Sequence, residues 1–562
     1  METRRLVLTL TGIGVALIVV LGGLSLFLVA TGGDDNGSQT TSDGNGEGSG
    51  EPTPDLPDRV EGELRLFGSD PITLDPACAS DAGSAEYIVE MFSGLVSFDK
   101  DLNIIPDAAE SYEVSPEGTV YTFHLRPNVV FHDGSRRVVA DDFKFSIERS
   151  LNPDTLSTVG EAYLDDIVGA REFIAGQAEE VSGIKVVNDD TLEITIDAPK
   201  EYFLSKLTYP TSFVVDRREV GESTCFEGAE WTLSPNGTGP FKLKQWVLSE
   251  RIELESNPGY YLDPKPSLQQ VTYLLSAAGG DALTMYENDE IDLTGVGIND
   301  IERIRDPNEP LNAEFHESEQ LDTFYIGFNV DEPPFNDARI RQALGMAIDR
   351  EAIASTILVD LVTPAKGILP PGMPGYNEAL EGLPYDPEGA RSLLEEAGGP
   401  SLFEGVSILT PGAGASPSDV LEAIVALWEQ DLGITVTIEQ EESGIFFRDI
   451  KEGNYKIASQ GWIADYQDPH NFLDLQFHSQ SAINDTNYAN PEVDQLLEQA
   501  RSETDESARL ELYRQAEELI VQDAAWVPLS HSKGSVLIKP YVNGYAVPPF
   551  VIPNLRYVSI QR

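Results

Sequence analysis

One apolar segment near the N-terminus constrains the chain more than any other feature. It runs from Leu6 to Ala30 without a charged residue, and about 20 apolar residues are enough to span a bilayer. Two arginines precede it and two aspartates follow it, which places residues 1–5 in the cytoplasm and the rest of the chain outside. A cleaved signal peptide ending near Ala30 is the alternative, but its apolar core usually has only about 7–15 residues. We therefore expect a transmembrane anchor over residues 6–30.

The chain beyond this segment divides into a polar tether and a long body. Residues 31–58 are rich in Gly, Ser, Asp and Pro and have almost no apolar content, which is typical of a flexible, disordered linker. The body covers residues 59–562. Because a single hydrophobic core rarely grows beyond about 250–300 residues, we expect the body to form two or three lobes.

Charge and cysteine content exclude several classes of protein. The chain has 95 acidic and 37 basic residues, a formal net charge of −58. Such a surface repels nucleic acid and anionic lipid, so we expect no nucleic-acid partner. Its two cysteines, Cys78 and Cys225, form no C-x-x-C motif, which leaves zinc and thioredoxin-like sites without support. One disulfide and two separate buried thiols both remain open.

Strand and helix patterns are mixed along the body. Alternation of apolar residues over 119–127 and 192–199 predicts half-buried strands. Residues 416–440 predict a helix, a short turn and a β-branched strand. The other predicted helices are 141–151, 386–399 and 507–524. This mixture predicts the α/β fold class.

The residues offer little support for catalysis. No G-x-S-x-G, P-loop, dinucleotide-binding or H-E-x-x-H motif occurs. His470, Asp474 and His478 would share one face of a helix, as metal ligands can, but the large apolar residues between them favour packing. Asp465 and Asp468 could form a glycosidase pair, although close acid pairs arise by chance in so acidic a chain. We expect no enzymatic activity, no metal and no cofactor.

Eight motifs in the body follow one another in the order found in a known family. They lie at 73–99, 104–151, 236–246, 324–350, 385–398, 461–473, 487–501 and 526–545. TLDP opens the first, NGTGPFKLKQW is the third, and GWIADYQDPHNFL is the sixth. Together they resemble the bacterial family 5 extracellular solute-binding proteins, which are the oligopeptide- and dipeptide-binding receptors of ABC importers. The resemblance covers nearly the whole body.

The resemblance implies a periplasmic-binding-protein type II-like α/β fold, with two large lobes, a subdomain and a ligand cleft between the lobes. Lobe I would comprise residues 59–95, 231–325 and 533–562, the subdomain residues 96–230, and lobe II residues 326–532. The two lobes would close around the ligand by a hinge motion.

The resemblance also implies a function. The chain would be a monomeric extracellular receptor that binds peptides and delivers them to an ABC permease with its ATPase subunits. A solute sensor of the same fold, or a receptor for an oligosaccharide or a nickel complex, is an alternative. A secreted hydrolase using Asp465 and Asp468 is a further one.

The stretch GWIADYQDPHNF contains most of the implied ligand-binding residues. Asp465 matches the aspartate that pairs with the ligand α-amine in peptide-binding members, and its aromatic neighbours should leave its carboxylate partly desolvated and in need of a cation. Gly461, Trp462 and Ile463 match a strand edge that binds the ligand backbone. Trp462 would also wall a side-chain pocket or pack between the lobes. Asp468 is expected to shape the turn rather than to touch ligand.

Other implied positions lie far away in the sequence. Ser80 and Ala82, which follow the TLDP motif, match the segment facing that strand edge, and Tyr163 is an implied pocket wall. Two positions depart from the family pattern. An Arg that helps to hold the ligand carboxylate in some members is Ser459 here, and an aromatic residue of some members is Ser532. A peptide of fixed length with a tightly held C-terminus is therefore not implied.

Overall fold

The computed structural model describes residues 58–225, 230–275, 281–412 and 417–562. The predicted anchor at 6–30 lies outside these ranges, as does all but the last residue of the predicted tether. Within the described ranges, no helix is both long and apolar enough to cross a membrane.

Strands and helices alternate along the described parts of the chain. The strands are β1 Glu63–Gly68, β2 Val96–Phe98, β3 Ile104–Pro106, β4 Ala109–Val114, β5 Val120–Leu125, β6 Ile184–Asn188, β7 Thr191–Thr195, β8 Phe241–Val247, β9 Arg251–Ser256, β10 Gln270–Leu275, β11 Leu293–Gly295, β12 Phe315–Glu319, β13 Asp322–Phe328, β14 Val362–Pro364, β15 Ser407–Pro411, β16 Thr437–Glu441, β17 Ile457–Ile463, β18 Trp526–Ile538, β19 Val542–Asn543 and β20 Ser559–Ile560. The helices are α1 Ala82–Met91, α2 Ala140–Leu151, α3 Gly160–Leu164, α4 Ala170–Ile174, α5 Phe203–Lys206, α6 Arg217–Val220, α7 Ala282–Glu287, α8 Ile301–Arg305, α9 Ala338–Met346, α10 Arg350–Ala352, α11 Pro387–Ala397, α12 Asp419–Leu432, α13 Ser443–Glu452, α14 Leu475–Phe477, α15 Pro491–Ser502 and α16 Glu506–Asp523. Two π-helical turns cover Ile353–Ile357 and His470–Asp474.

A four-stranded sheet combines two distant parts of the chain. Its order is β1-β10-β9-β8, with β1 parallel to β10 and the other pairs antiparallel. Helix α1 packs against it, and the rings of Tyr87 and Tyr273 meet edge to face at 4.8 Å between centroids. Asp81 caps the N-terminus of α1 by accepting the Ser84 N–H at 2.8 Å. The sheet therefore fixes the position of the residues that lead into α1.

The largest sheet is organised around one long strand. Its order is β11-β18-β13-β17-β15-β16, and β12 and β14 also pair with β18. The first part of β18 pairs with β13 and β14, whereas its last part pairs with β12 and β11. The change of partners falls between Ser532, which pairs with Val362, and Lys533, which pairs with Glu319. A single strand thus runs through two differently paired regions.

A third sheet, β4-β5-β7-β6, is antiparallel and consists of two hairpins joined through β5 and β7, with α2 packed on it. Its buried face includes Phe123 and Leu192, which belong to the same apolar cluster as Phe143 of α2. That cluster continues into Tyr466 and Phe472, just beyond β17. The third sheet therefore shares one continuous apolar cluster with the part of the chain that contains GWIADYQDPHNF.

The secondary structure predicted from periodicity is largely confirmed. The predicted strands correspond to β5 and to β7, which ends earlier than predicted, at Thr195. The predicted helices are α2, α11 and α16, and the helix–turn–strand unit is α12 followed by β16. Helix α11 shows why the prediction succeeds, because Asp386 caps it by accepting the Gly389 N–H and Gly398 follows its last residue.

The two cysteines are paired, which resolves the question that the sequence left open. Cys78 and Cys225 form a disulfide with their Cα atoms 5.3 Å apart. The bond joins the segment before α1 to the loop after α6.

Candidate ligand-binding cleft

Asp465 lies two residues after β17, and both hydrogen bonds to its carboxylate end on one oxygen. The Tyr163 hydroxyl and the Asn471 amide both donate to Oδ2, the amide at 2.9 Å. Within the described ranges, Oδ1 accepts no hydrogen bond from a protein group, and no basic side chain forms an ion pair with the carboxylate. Burial raises the pKa of Asp465 to about 6, against the lowering effect of the two hydrogen bonds. The site is thus a partly desolvated carboxylate with one oxygen free for a donor.

Tyr163 connects this carboxylate to a distant part of the chain. It lies on α3, and its ring stacks on that of Tyr209 at 3.8 Å between centroids and 5° between planes. The Tyr209 hydroxyl donates to the carbonyl of Ala79 at 2.9 Å. Burial, and then the charge of Asp465, raise the pKa of Tyr163 far above its usual value, so its phenol stays protonated and donates. A continuous set of contacts therefore runs from Ala79 to Asp465.

Asn471, which the sequence reasoning missed, organises the loop around Asp465. Its side-chain oxygen accepts the Asp465 N–H and the indole N–H of Trp462, each at 3.1 Å, while its amide donates to the carboxylate. Asn471 is fully buried within the π-helical turn. Because one amide both donates and accepts, it orients the acid and the tryptophan together. The only feature of the sequence that could have indicated this role is its position six residues after Asp465, in the same motif.

One edge of β17 is open along the predicted backbone-binding residues. On one side, β17 pairs with β13 from Ile457 to Ile463. On the other side, β15 pairs only with Ile457 and Ala458. No strand within the described ranges covers the remaining edge, from residue 459 to Ile463.

The direction of the backbone groups follows from strand alternation. The Ala464 N–H donates to Leu321, the residue just before β13, at 2.7 Å. Since successive residues of a strand turn their N–H and C=O groups to opposite sides, Trp462 faces β13 while Gly461 and Ile463 face the open edge. The two residues predicted to offer backbone groups are therefore the ones directed away from the sheet. Trp462 is half-buried and packs against the apolar cluster that contains Phe123 and Tyr466.

The segment predicted to face the strand edge, residues 80–82, directly follows Ala79, whose carbonyl accepts the Tyr209 hydroxyl. Ser80 is exposed, and Ala82 is partly buried as the first residue of α1. Asp81 between them is held by its role as helix cap, and burial raises the pKa of its carboxyl group. Through Ala79 and Tyr209, the fold connects this segment with Tyr163 and Asp465.

The other acids and histidines of the motif have structural partners. Asp468 accepts the His470 N–H at 2.9 Å and forms an ion pair with Arg509 at 2.6 Å, as expected of a residue that shapes the turn. The His470 ring stacks on Tyr202 at 3.7 Å between centroids, and Asp474 binds Arg501 through both of its oxygens. Across the described residues, no group of three metal-ligating side chains is placed to hold an ion.

The two positions that depart from the family pattern lie in the large sheet. Ser459 pairs with Ile326 of β13. The Ser532 N–H donates to the Asp322 carboxylate at 2.7 Å, at the point where β18 changes partners. Neither position supplies a positive charge for a ligand carboxylate.

The mixed α/β architecture is that of the periplasmic-binding-protein type II-like class of solute-binding receptors. The chain belongs to the bacterial extracellular solute-binding proteins, family 5. The family model, which describes the middle region of these proteins, matches residues 103–484. Membership confirms the predicted family and fold, places the body outside the cytoplasm, and assigns it to the solute-binding receptors.

Individual relatives agree with this assignment. The chain is 32% identical to the periplasmic oligopeptide-binding protein OppA of Escherichia coli, over 86% of this chain and 89% of the relative. It is also 32% identical to the probable deoxycholate-binding periplasmic protein YgiS of E. coli, over 85% of this chain and 89% of the relative. The relatives thus bear names for chemically different ligands, so family membership does not select the ligand.

Solved structures show the same fold and bear on its conformation. Haemophilus influenzae OppA in complex with the peptide RPPGFSPFR matches with a TM-score of 0.80 and 26% identity, over 89% of this chain and 99% of that chain. The E. coli murein tripeptide-binding protein MppA, at 28% identity over 89% of this chain and 98% of that chain, matches with 0.78 in one structure and 0.62 in its unliganded open form. The conformation described here is therefore closer to the first MppA structure than to the open form.

Proposed function

We propose that the chain binds peptides outside the cell and delivers them to an ABC permease with its ATPase subunits. The observation that carries this proposal is that the Asp465 carboxylate lies just beyond the open edge of β17. The carboxylate keeps Oδ1 free and has no basic partner among the described residues, and it lies directly beyond a strand whose outward backbone groups are unpaired.

The ligand amine fits this carboxylate. An ammonium group carries three donors on a compact charge, and a partly desolvated carboxylate binds it strongly. One N–H of the ammonium would bond Oδ1 of Asp465, while Tyr163 and Asn471 keep Oδ2 occupied and hold the group in place. Deoxycholate carries a carboxylate of its own, which Asp465 would repel. The charge of this site therefore favours a peptide over a bile acid.

The ligand backbone fits the strand edge. An extended peptide would pair with Gly461 and Ile463 and thus extend the sheet by one strand, with Ser80 and Ala82 on its other side. Backbone bonds of this kind contribute affinity without reading side chains. Because Ser459 and Ser532 supply no cation, we infer that the ligand C-terminus is not held by a fixed charge and that peptides of several lengths bind.

The lobe boundaries proposed from the family are supported by the three sheets. The sheet β1-β10-β9-β8 lies within 59–95 and 231–325, and the third sheet, β4-β5-β7-β6, lies within 96–230. In the large sheet, β14 to β17 lie within 326–532, β11 and β12 lie within 231–325, and β18 changes partners after Ser532. Strands β13 and β18 cross between the two large lobes there, so we propose that the hinge lies at this crossing.

The partners beyond the ligand are also proposals. We propose that residues 6–30 anchor a monomeric receptor in the membrane and that the tether lets its body reach the permease. Membrane fractionation of the full chain, with N-terminal sequencing, tests the anchor. Recovery of a soluble protein that starts after Ala30 would contradict it.

Titration calorimetry tests the ligand assignment. Ala-Ala-Ala and Ala-Ala-Ala-Ala should bind, and their N-acetyl forms should bind at least about tenfold more weakly, because a hydrogen bond to a charged group contributes about 1.5–3 kcal/mol. Asp465→Asn should lower the affinity for the free-amine peptides and remove the difference between the two forms. Asp101→Asn, which changes an exposed acid, is the matched control and should behave as the wild type. Equal binding of acetylated and free peptides by the wild type would refute the role of Asp465.

A further inference from the structure

The segment that leads into α1 is held by polar contacts just before Cys78. Asp75 forms a two-pronged ion pair with Arg149, with oxygen–nitrogen distances of 2.8 and 2.6 Å. The carbonyl of Ala77 accepts the Ser157 hydroxyl at 2.6 Å. These contacts are made to α2 and to the residues just before α3. The segment is therefore held against the helices that pack on the third sheet.

The disulfide is the covalent member of this set. Cys78 and Cys225 are 147 residues apart in the sequence. The Cys225 N–H donates to the carbonyl of Thr155 at 2.9 Å, and the Ser223 hydroxyl accepts from Arg149 at 3.1 Å. Both cysteines therefore lie in the network that contains the Arg149 ion pair.

The residue after Cys78 starts the path to the ligand carboxylate. The carbonyl of Ala79 holds the Tyr209 hydroxyl, the Tyr209 ring stacks on Tyr163, and Tyr163 donates to Asp465. A shift of Ala79 would move the Tyr209 ring and with it the donor on Asp465. Ser80 and Ala82, on the facing edge, follow directly in the chain.

We propose that the Cys78–Cys225 disulfide is a positioning element of the cleft, which holds the facing segment and the tyrosine pair in the arrangement that binds ligand. This inference rests on the proposed function. The ion pair and the hydroxyl contacts remain when the bond is broken, so the body stays folded and the cleft loosens. A disulfide persists in the oxidising surroundings outside the cytoplasm, where this body lies.

Thermodynamic reciprocity provides the first test. If the bond tightens ligand binding by a factor, ligand must stabilise the bond by the same factor. Reduction by dithiothreitol adds two electrons and two protons to give two thiols, and the reagent closes to its cyclic disulfide. Equilibrated in dithiothreitol redox buffers, the full-length protein with saturating Ala-Ala-Ala-Ala should show a midpoint potential lower than that of the free protein by about 30 mV for each tenfold effect. Equal midpoints would overturn the proposal.

A pair of variants provides the second test, at a temperature where all proteins are folded. C78S/C225S should bind Ala-Ala-Ala-Ala about tenfold more weakly than the wild type. Ile424→Val, in the core of the α12 region, is the control because it lowers stability away from the cleft and should leave the affinity unchanged. If both variants keep the wild-type affinity, the disulfide contributes only to stability and the proposal is overturned. If the double variant does not fold, the redox titration decides.

Hydrogen exchange without ligand separates this inference from the proposed function. Reduction should accelerate exchange of the first-turn amides of α1, including the Ser84 N–H that Asp81 accepts, and leave α12 unchanged. If exchange accelerates but no peptide binds to the wild type, the positioning role stands and the peptide assignment fails. If peptides bind and exchange is unaffected by reduction, the positioning role fails.

Discussion

At the scale of single residues, Asp465 illustrates a conflict between stability and binding. Its pKa of about 6 lies above the roughly 3.9 of an unfolded aspartate. Between those values the folded state binds more protons than the unfolded state, so the free energy of unfolding falls as the pH rises from about 4 to 6. The ionised group thus costs the ligand-free protein about 1–3 kcal/mol at neutral pH, and the ammonium of the proposed ligand would offset that cost.

This conflict predicts opposite effects of one substitution. Asp465→Asn should raise the melting temperature of the ligand-free protein at pH 7.5 and leave it nearly unchanged at pH 4.5, while peptide affinity falls at pH 7.5. For the wild type, affinity for Ala-Ala-Ala-Ala should decline below pH 6 as the carboxylate gains its proton. Thermal unfolding and calorimetry at the two pH values measure both. A lower melting temperature of the variant at pH 7.5 would show that the charged form stabilises the fold.

How far the sequence could predict the candidate site differs between residues. The sequence predicts Asp465 as a site residue because it lies in a recognisable motif, and Tyr163 because of a looser match. Asn471 and Tyr209 were missed, since their roles are hydrogen bonds and ring contacts that only the fold creates. Tyr209 and Ala79 are 130 residues apart in the chain, and no local pattern encodes such a contact.

At the scale of elements, the sequence predicts individual helices and strands but not which strands pair with each other. Helix α11 could be predicted from its Asp cap and its terminal glycines, which act within a few residues. The neighbours of β17 could not be predicted, because β13 and β15 come from distant parts of the chain. Only the pairing shows that its edge is open beyond Ala458.

The open edge predicts an alternating response to modified ligands. A single N-methyl group placed in turn on each amide of Ala-Ala-Ala-Ala should weaken binding about tenfold or more where the amide N–H faces β17, and much less at the next amide. The physical reason is that strand alternation turns every second N–H away from the edge. Calorimetry of the three methylated peptides, with the unmodified peptide as control, measures the pattern. Similar losses at neighbouring amides would contradict strand addition.

At the scale of the whole molecule, the division into lobes was inferred from family resemblance, not from periodicity. Composition predicts more than one core, but the proposed return of residues 533–562 to the first lobe would depend on tertiary pairing. Strand β18 shows why, since it serves two regions whose partners are more than 150 residues earlier. The opposing charges that set the pH response of the molecule are likewise brought together by the fold.

Buried carboxylates with raised pKa values dominate that response. Burial raises the pKa of Glu90 and of Glu517 to about 7, although each accepts two backbone N–H groups. Burial likewise raises the pKa of Asp107 and of Asp322 to about 6. Each of these groups makes the free energy of unfolding larger as the pH falls from about 7 to 5, because the folded state takes up the proton first.

Other carboxylates set the acid limit. Burial alone would raise the pKa of Asp166, but Lys206 and Lys200 lower it to about 2. His470 and Arg501 lower the pKa of Asp474 to about 2 in the same way. The stability that these groups contribute is present above pH 4 and is lost as the pH falls towards 2.

Together with a formal net charge of −58, these groups predict a stability maximum on the acid side of neutrality. The melting temperature should be higher at pH 5 than at pH 8 and should fall steeply below pH 3. Raising NaCl from 0.1 to 1 M, which shortens the screening length from about 10 to 3 Å, should raise the melting temperature more at pH 8 than at pH 5, because self-repulsion is greatest when all acids are ionised. Differential scanning fluorimetry across pH and salt measures both effects. A maximum at pH 8, or a salt response that does not depend on pH, would show that the buried carboxylates and the net charge do not control the stability of this fold.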